Sequence, residues 1–175
     1  APGWPGARGA LHANAPAGAP PPPFRGVPLL ERDPVVQQRV AAMPDAQVLL
    51  GAWQDGLAAP AFDGAPRWLH GDLHPANLLS RDGGLAAMLD FGDLTAGDPA
   101  TDLAAGWLCF GAAARERFWA EYLQLADLVG EGAALRRRAR AWAASFAAIL
   151  LGEPAHAGFV TVGEHAREQI AADLR

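Results

Sequence analysis

Lysine is absent from this 175-residue chain; all 14 of its basic residues are arginine. The absence excludes a phosphate-binding loop built on Gly-Lys-Ser/Thr and any enzyme working through a lysine Schiff base or lysine nucleophile. A single cysteine, Cys109, excludes an internal disulfide and a cysteine-rich zinc site. It lies in the apolar run Trp107-Leu108-Cys109-Phe110, where a thiol is expected to behave as a small core hydrophobe. A basic excess is also missing: the net charge of −5 argues against a nucleic-acid or anionic-membrane binder. The longest uncharged apolar runs, 103–114 and 141–152, have 12 residues each, short of the ~20 that span a bilayer. The first residues show no charged-then-apolar secretory pattern and begin with Ala1 rather than methionine.

What is present suits a packed core. Alanine fills 40 positions and apolar types make up 51% of the chain. Glycine (20) and proline (15) together stay below the ~25–30% of a low-complexity chain. The length fits one domain. The class expected is a mostly helical, cytoplasmic domain.

Along the chain, residues 1–28 read as a Pro/Gly-rich leader and connector, in which 9–15 could form the last turns of a helix. Pro20 to Pro23 predict a stiff polyproline II segment laid over the surface. The main unit is expected over 29–175. Asp33-Pro34 reads as N-cap and first residue of a helix over 34–43, and a second helix is expected over 45–59. Arg67 to His70 has the look of a short strand. Residues 77–80 and 85–90 flank Asp82-Gly83, which predicts a tight-turned β-hairpin. From there to the end the pattern is helical: 99–110, opened by Asp98-Pro99, then 113–128 with a break at 130–132, then a helix around 135–149, then 154–174. Leu135, Ala139, Trp142, Phe146 and Ile149 recur at three- and four-residue steps and give one apolar face. Arg136, Arg137, Arg138 and Arg140 sit mostly off that stripe and read as a solvated helix face.

The chemistry concentrates in His70-Gly71-Asp72-Leu73-His74-Pro75-Ala76-Asn77 and in Leu89-Asp90-Phe91-Gly92-Asp93. Asn77 offers a neutral amide oxygen and Asp90 a carboxylate, hard donors that suit Mg²⁺. A hairpin between them returns both to one edge. Asp72, five residues before Asn77 on a turning loop, is placed to accept a proton from an attacking hydroxyl. Asp-x-x-x-x-Asn followed by Asp-Phe-Gly is the order of a kinase catalytic loop.

These two segments, extended by Asp98-Pro99-Ala100-Thr101-Asp102-Leu103-Ala104, resemble the aminoglycoside phosphotransferase family of small-molecule kinases. A capped helix opens six residues after Gly92, which leaves no room for a peptide-docking segment and favours a small acceptor. The resemblance implies an α+β, mainly α fold: the C-terminal lobe of the protein-kinase-like fold, with a hairpin carrying the catalytic and metal-binding loops. It implies Mg²⁺ and ATP (or GTP) as co-substrate, and phosphoryl transfer to a hydroxyl of a small molecule, with antibiotic resistance as one setting. Asp72 would be the base, Asn77 and Asp90 the metal ligands, and Leu79 part of the floor under the adenine. Asp102 would hydrogen-bond back to the catalytic loop. His70, His74 and Asp93 would be supporting residues; read by themselves, the histidines could be structural hydrogen-bonders of a buried loop or contact phosphate directly, and Asp93 could serve only to cap the following turn. Ala76 stands where this family often has glycine, a difference of consequence only if that backbone needs positive φ.

The strands of a β-rich nucleotide-binding lobe, its glycine-rich loop and its strand lysine are not seen upstream of residue 70, so the chain reads as a C-terminal lobe whose N-terminal nucleotide-binding lobe is missing. Two other readings stay open. A lone lobe could serve as a non-catalytic binding module. His70, Asp72 and His74, alternating on an extended strand, could join Asp90 in a His/Asp metal-dependent hydrolase site. Asp93, Asp98, Glu153, Glu164 and Glu168 would suit a cationic acceptor such as an aminoglycoside, and solvated helix faces explain them equally well.

Overall fold

The computed structural model describes residues 11–20, 24–43, 46–82, 84–126 and 132–175. Seven α-helices and four short strands follow one another among them: α1 (Leu29–Ala41), α2 (Gln47–Leu57), β1 (Arg67–Leu69), β2 (Leu78–Arg81), β3 (Gly84–Met88), β4 (Thr95–Gly97), α3 (Ala100–Leu103), α4 (Ala105–Cys109), α5 (Ala112–Ala126), α6 (Gly132–Leu151) and α7 (Ala157–Asp173). The mainly helical α+β class and the hairpin agree with the sequence reading. Pro21 to Pro23, Gly83 of the turn and the break at 130–131 lie outside the described residues.

α6 is the centre of the helical body and packs against α2, α3 and α7. Its periodic Leu135, Ala139, Trp142 and Phe146 are buried with Leu49 and Trp53 of α2 and Trp107 of α4. The alanines between them let neighbouring helices approach closely. β2 and β3 form the expected antiparallel hairpin, with Leu78 opposite Met88 and a bulge between Leu79 and Ser80. β4 was not expected. It pairs antiparallel with β1, Leu69 opposite Thr95 and Arg67 opposite Gly97, and it closes the loop that follows the hairpin.

Three local readings need correction. α1 begins at Leu29 rather than 34, because Leu29 is buried with Val36 and Val40. Asp33 is therefore inside the helix; its carboxylate accepts from Trp53 Nε1 of α2 at 2.7 Å and from Gln37 Nε2. Residues 12–15 are not helical: His12 is a left-handed turn residue (φ +63°) and Asn14 bridges antiparallel to Arg67, with His12 N donating to Trp68 O, Trp68 N to Ala13 O and Ala15 N to Pro66 O, which lays them along β1. The arginines of α6 do not form a solvated face. Arg138 is buried and paired with Asp98 at 2.7 Å. Arg137 and Arg140 both reach Asp55 of α2, and Arg136 and Arg140 both reach Asp173 of α7. They tie three helices together.

Asp98 does cap the following helix, accepting from Ala100 N at 3.0 Å. The expected 99–110 helix is divided at Ala104 into α3 and α4. Cys109 is half-buried beside the core, and burial pushes its thiol up to about 12.

Candidate active site

The loop between β1 and β2 is held by buried backbone contacts before any chemistry begins. Gly71 has φ +86°, and a Cβ there would collide with the backbone oxygen of Asp93, so a side chain is excluded on two counts. Asp102, 1% exposed on α3, accepts from His70 N at 2.7 Å through Oδ2 and from Gly71 N at 2.9 Å through Oδ1. His12 Nε2 adds a third donor at 3.1 Å, and its Nδ1 meets the Tyr122 hydroxyl. His12 had no role in the sequence reading, since nothing local tells that the leader reaches α3.

Both histidines of the loop have their ring nitrogens engaged, by the loop itself and, for His70, by Leu89 beyond the hairpin. His70 Nδ1 accepts from Asp72 N at 3.3 Å, which puts the proton on Nε2, and Nε2 donates to Leu89 O at 2.8 Å. The ring also lies against Phe91, centroids 4.7 Å apart. His74 Nδ1 accepts from Ala76 N and caps the single 3₁₀ turn Pro75–Asn77. Its Nε2 faces Asp72 Oδ2 at 3.4 Å. A shared His/Asp transition-metal site is not what these contacts build; among the described residues no group of three or more His, Cys, Asp or Glu is arranged to hold a metal ion. Ala76 has no positive φ, so glycine is not required there.

Asp72 and Asn77 are brought together. Asn77 Nδ2 donates to the Asp72 backbone oxygen at 2.9 Å and lies 3.4 Å from its Oδ2. This commits the amide nitrogen of the buried Asn77, and among the described residues no hydrogen bond engages its Oδ1. The Asn77 backbone oxygen accepts from Leu89 N at 2.9 Å, so Asp90 leaves the hairpin one residue beyond that bond, at the same open end. Asp90 is exposed and left-handed (φ +58°), and among the described residues its Oδ1 accepts one long 3.3 Å bond, from Gly92 N. Two oxygen donors, the buried neutral amide of Asn77 and the exposed carboxylate of Asp90, are of the type that fits a hard cation such as Mg²⁺.

Asp72 is 30% exposed, with Arg25 Nη2 at 3.5 Å from Oδ1. The hydrogen bond from His74 outweighs burial and, with the nearby Arg25 and His70, holds the carboxyl below the usual carboxylate range. Arg25 was missed by the sequence reading, which treated the leader as a connector. Gly26, with φ +73°, accepts from Asp98 N and donates to Thr101 Oγ1 at 2.9 Å. That anchor turns Arg25 inward over the Phe146 ring, 4.3 Å from its centroid. Leu79 is 50% exposed on β2, and Asp93 is exposed at the end of the 3₁₀ turn Phe91–Asp93. Of the acids considered for a cationic acceptor, Asp98 is buried against Arg138 and Glu164 is paired with Arg167.

The structural comparison finds aminoglycoside phosphotransferase APH(4)-Ia, as a thermostable mutant in ternary complex with AMP-PNP and hygromycin B. It is 20% identical, with a TM-score of 0.48 over 80% of this chain and 48% of that chain. The macrolide 2′-phosphotransferase MphH from Brachybacterium faecium, as apoenzyme, is 26% identical, with a TM-score of 0.44 over 87% and 51%. The chain thus spans about half the length of these solved structures. Curated proteins give no match. The model of the phosphotransferase enzyme family (APH) matches residues 6–145, which contain the whole loop-and-hairpin site. This chain belongs to the phosphotransferase enzyme family.

Proposed function

We propose that the protein transfers the γ-phosphoryl group of ATP (or GTP) to a hydroxyl of a small molecule. One observation carries the reading: the Asn77 side chain is bonded to Asp72 while the Asn77 backbone is bonded to Leu89. A base and two oxygen donors, Asn77 Oδ1 and Asp90, thereby share one edge of a hairpin. Asp72 is held ionised by its neighbours and accepts the hydroxyl proton as the acceptor oxygen bonds to the γ-phosphorus. The bond from that phosphorus to the bridging oxygen breaks, and the nucleoside diphosphate leaves with the electron pair. Mg²⁺, held by Asn77 and Asp90, would neutralise phosphate charge. Leu79 supplies an apolar floor for the base, Asp102 fixes the loop, His70 and His74 brace it, and Asp93 closes its far side.

No lysine is available to grip the nucleotide phosphates, so the unit over 29–175, with its 1–28 leader, works with a nucleotide-binding lobe supplied by further polypeptide. We place the protein in the cytoplasm, where nucleoside triphosphates are abundant. Calorimetric titration of the chain with AMP-PNP, with and without Mg²⁺, tests this reading. Binding should depend on Mg²⁺ and weaken at least tenfold in Asp90→Ala; equal binding by both proteins would sink it.

A further inference from the structure

Arg25, the ion-pair partner of Asp72, lines a cavity of about 250 Å³ together with Phe24, Arg32, Arg39, Asp93 and Thr95, among others. Its charge is unusual in a protein of net charge −5. Arg32 and Arg39 stand seven residues apart on α1, two turns of one helix face. Unlike the arginines of α6, neither pairs with a carboxylate among the described residues. Arg32 instead covers the Phe24 ring at 5.4 Å. Arg25 lines the same cavity and is half-buried; burial disfavours its charge most, Asp72 and Asp93 support it, and the fields of Arg32 and Arg39 act against it more weakly. Three arginines converge there and Asp93 is the one acid of the lining. Arg25 is met by Asp72, whereas Arg32 and Arg39 present charge that an anion would meet, since guanidinium groups bind anions in paired hydrogen bonds.

We propose that this cavity binds the anionic group, a phosphate or a carboxylate, of a small hydroxylated acceptor. The inference rests on the phosphotransferase reading above and names its substrate class. Arg25 belongs both to the cavity and, at 3.5 Å, to Asp72, so a ligand held there lies next to the base that would take its hydroxyl proton. The volume is below the ~300–1,000 Å³ of drug-sized ligand sites, which suits a compact hydroxy acid or phosphorylated polyol rather than a multi-ring cation. The nucleotide's own phosphates are the other source of such an anion. Their place by this reading is at Asn77 and Asp90, neither of which lines the cavity.

The test uses glycerol 3-phosphate, hygromycin B and Mg²⁺–ADP, titrated calorimetrically into the chain and into R32Q/R39Q, whose helical content is checked by circular dichroism. Glycerol 3-phosphate should bind with a millimolar Kd that weakens at least tenfold in the double variant, while Mg²⁺–ADP binds both proteins alike. Failure of glycerol 3-phosphate to bind, equal binding by the variant, or preferential binding of hygromycin B overturns the anionic acceptor. Parallel loss of Mg²⁺–ADP binding in the variant assigns the arginines to the nucleotide and also overturns it. Arginine-dependent binding of glycerol 3-phosphate with no binding of Mg²⁺–ADP keeps the anion site and overturns instead the binding of nucleotide by this chain alone.

Discussion

Asp102 holds the backbone of His70: its Oδ2 accepts the His70 N–H at 2.7 Å, from a residue 32 positions away. With the Gly71 N–H on Oδ1, one buried carboxylate fixes the two residues that precede Asp72. Replacing it by alanine strands two buried N–H groups, each worth ~1–3 kcal/mol. Asp102→Ala should therefore lose about 2–5 kcal/mol in urea unfolding, and Asp102→Asn, which keeps one acceptor oxygen, clearly less. Equal losses would show that the carboxylate is not shared between the two donors.

The α6 arginines should separate by burial. Arg138 and Asp98 are both almost fully buried, and Arg138 also donates to Pro60 O. Arg138→Ala leaves the Asp98 charge without its cation, an expected loss of about 3–5 kcal/mol. Arg137 and Asp55 are each about a third exposed, so Arg137→Ala should lose under ~1 kcal/mol. The same chemical denaturation series measures both, and a reversed order would contradict the burial argument.

Pro34 lies inside α1, where it lacks the N–H that would bond one turn back. Pro34→Ala supplies that donor on an exposed position. Helix propensity sets an upper gain of ~3 kcal/mol, reduced by the greater freedom of the unfolded chain. A rise in thermal midpoint of a few degrees is expected; a fall would mean that the proline shapes the approach of Arg32 to the cavity.

The same residues show what a sequence can and cannot tell. The hairpin was readable because alternation and Asp-Gly are local signals, and the loop because Asp72, Asn77 and Asp90 keep their order and spacing. β4 was not, since Thr95-Ala96-Gly97 has no pattern of its own and becomes a strand only by pairing with β1. Asp33-Pro34 looked like a helix start because it has cap chemistry, whereas the burial of Leu29 and the indole of Trp53 decide otherwise. The α6 arginines looked solvated because Asp98, Asp55 and Asp173 are 33 to 85 residues distant. Arg25 was hidden for the same reason: its partner Asp72 is distant, and only the anchored Gly26 turns it inward.

Acid should loosen the fold through these pairs. Burial pushes the carboxyls of Asp55 and Asp173 up, but their arginines overcome it, and Arg136 likewise lowers Glu116. With Asp72 also lowered, the folded state binds protons less readily than the unfolded chain. The resulting stability is present above the ordinary carboxylate range, near pH 4–5, and is lost as pH falls through the lowered folded values. Unfolding free energy measured from pH 7 to pH 3 should be flat first and then fall; a rise on acidification would contradict the assignment.

The placement of a cation at Asn77 and Asp90 is tested most directly by NMR of the ¹⁵N-labelled chain titrated with Mn²⁺, a paramagnetic substitute for Mg²⁺, in the presence of ADP. Broadening should centre on the amides of Asn77, Leu89, Asp90 and Phe91, and should disappear from them in Asp90→Ala. Broadening centred elsewhere, or unchanged at these amides in the variant, would contradict the site.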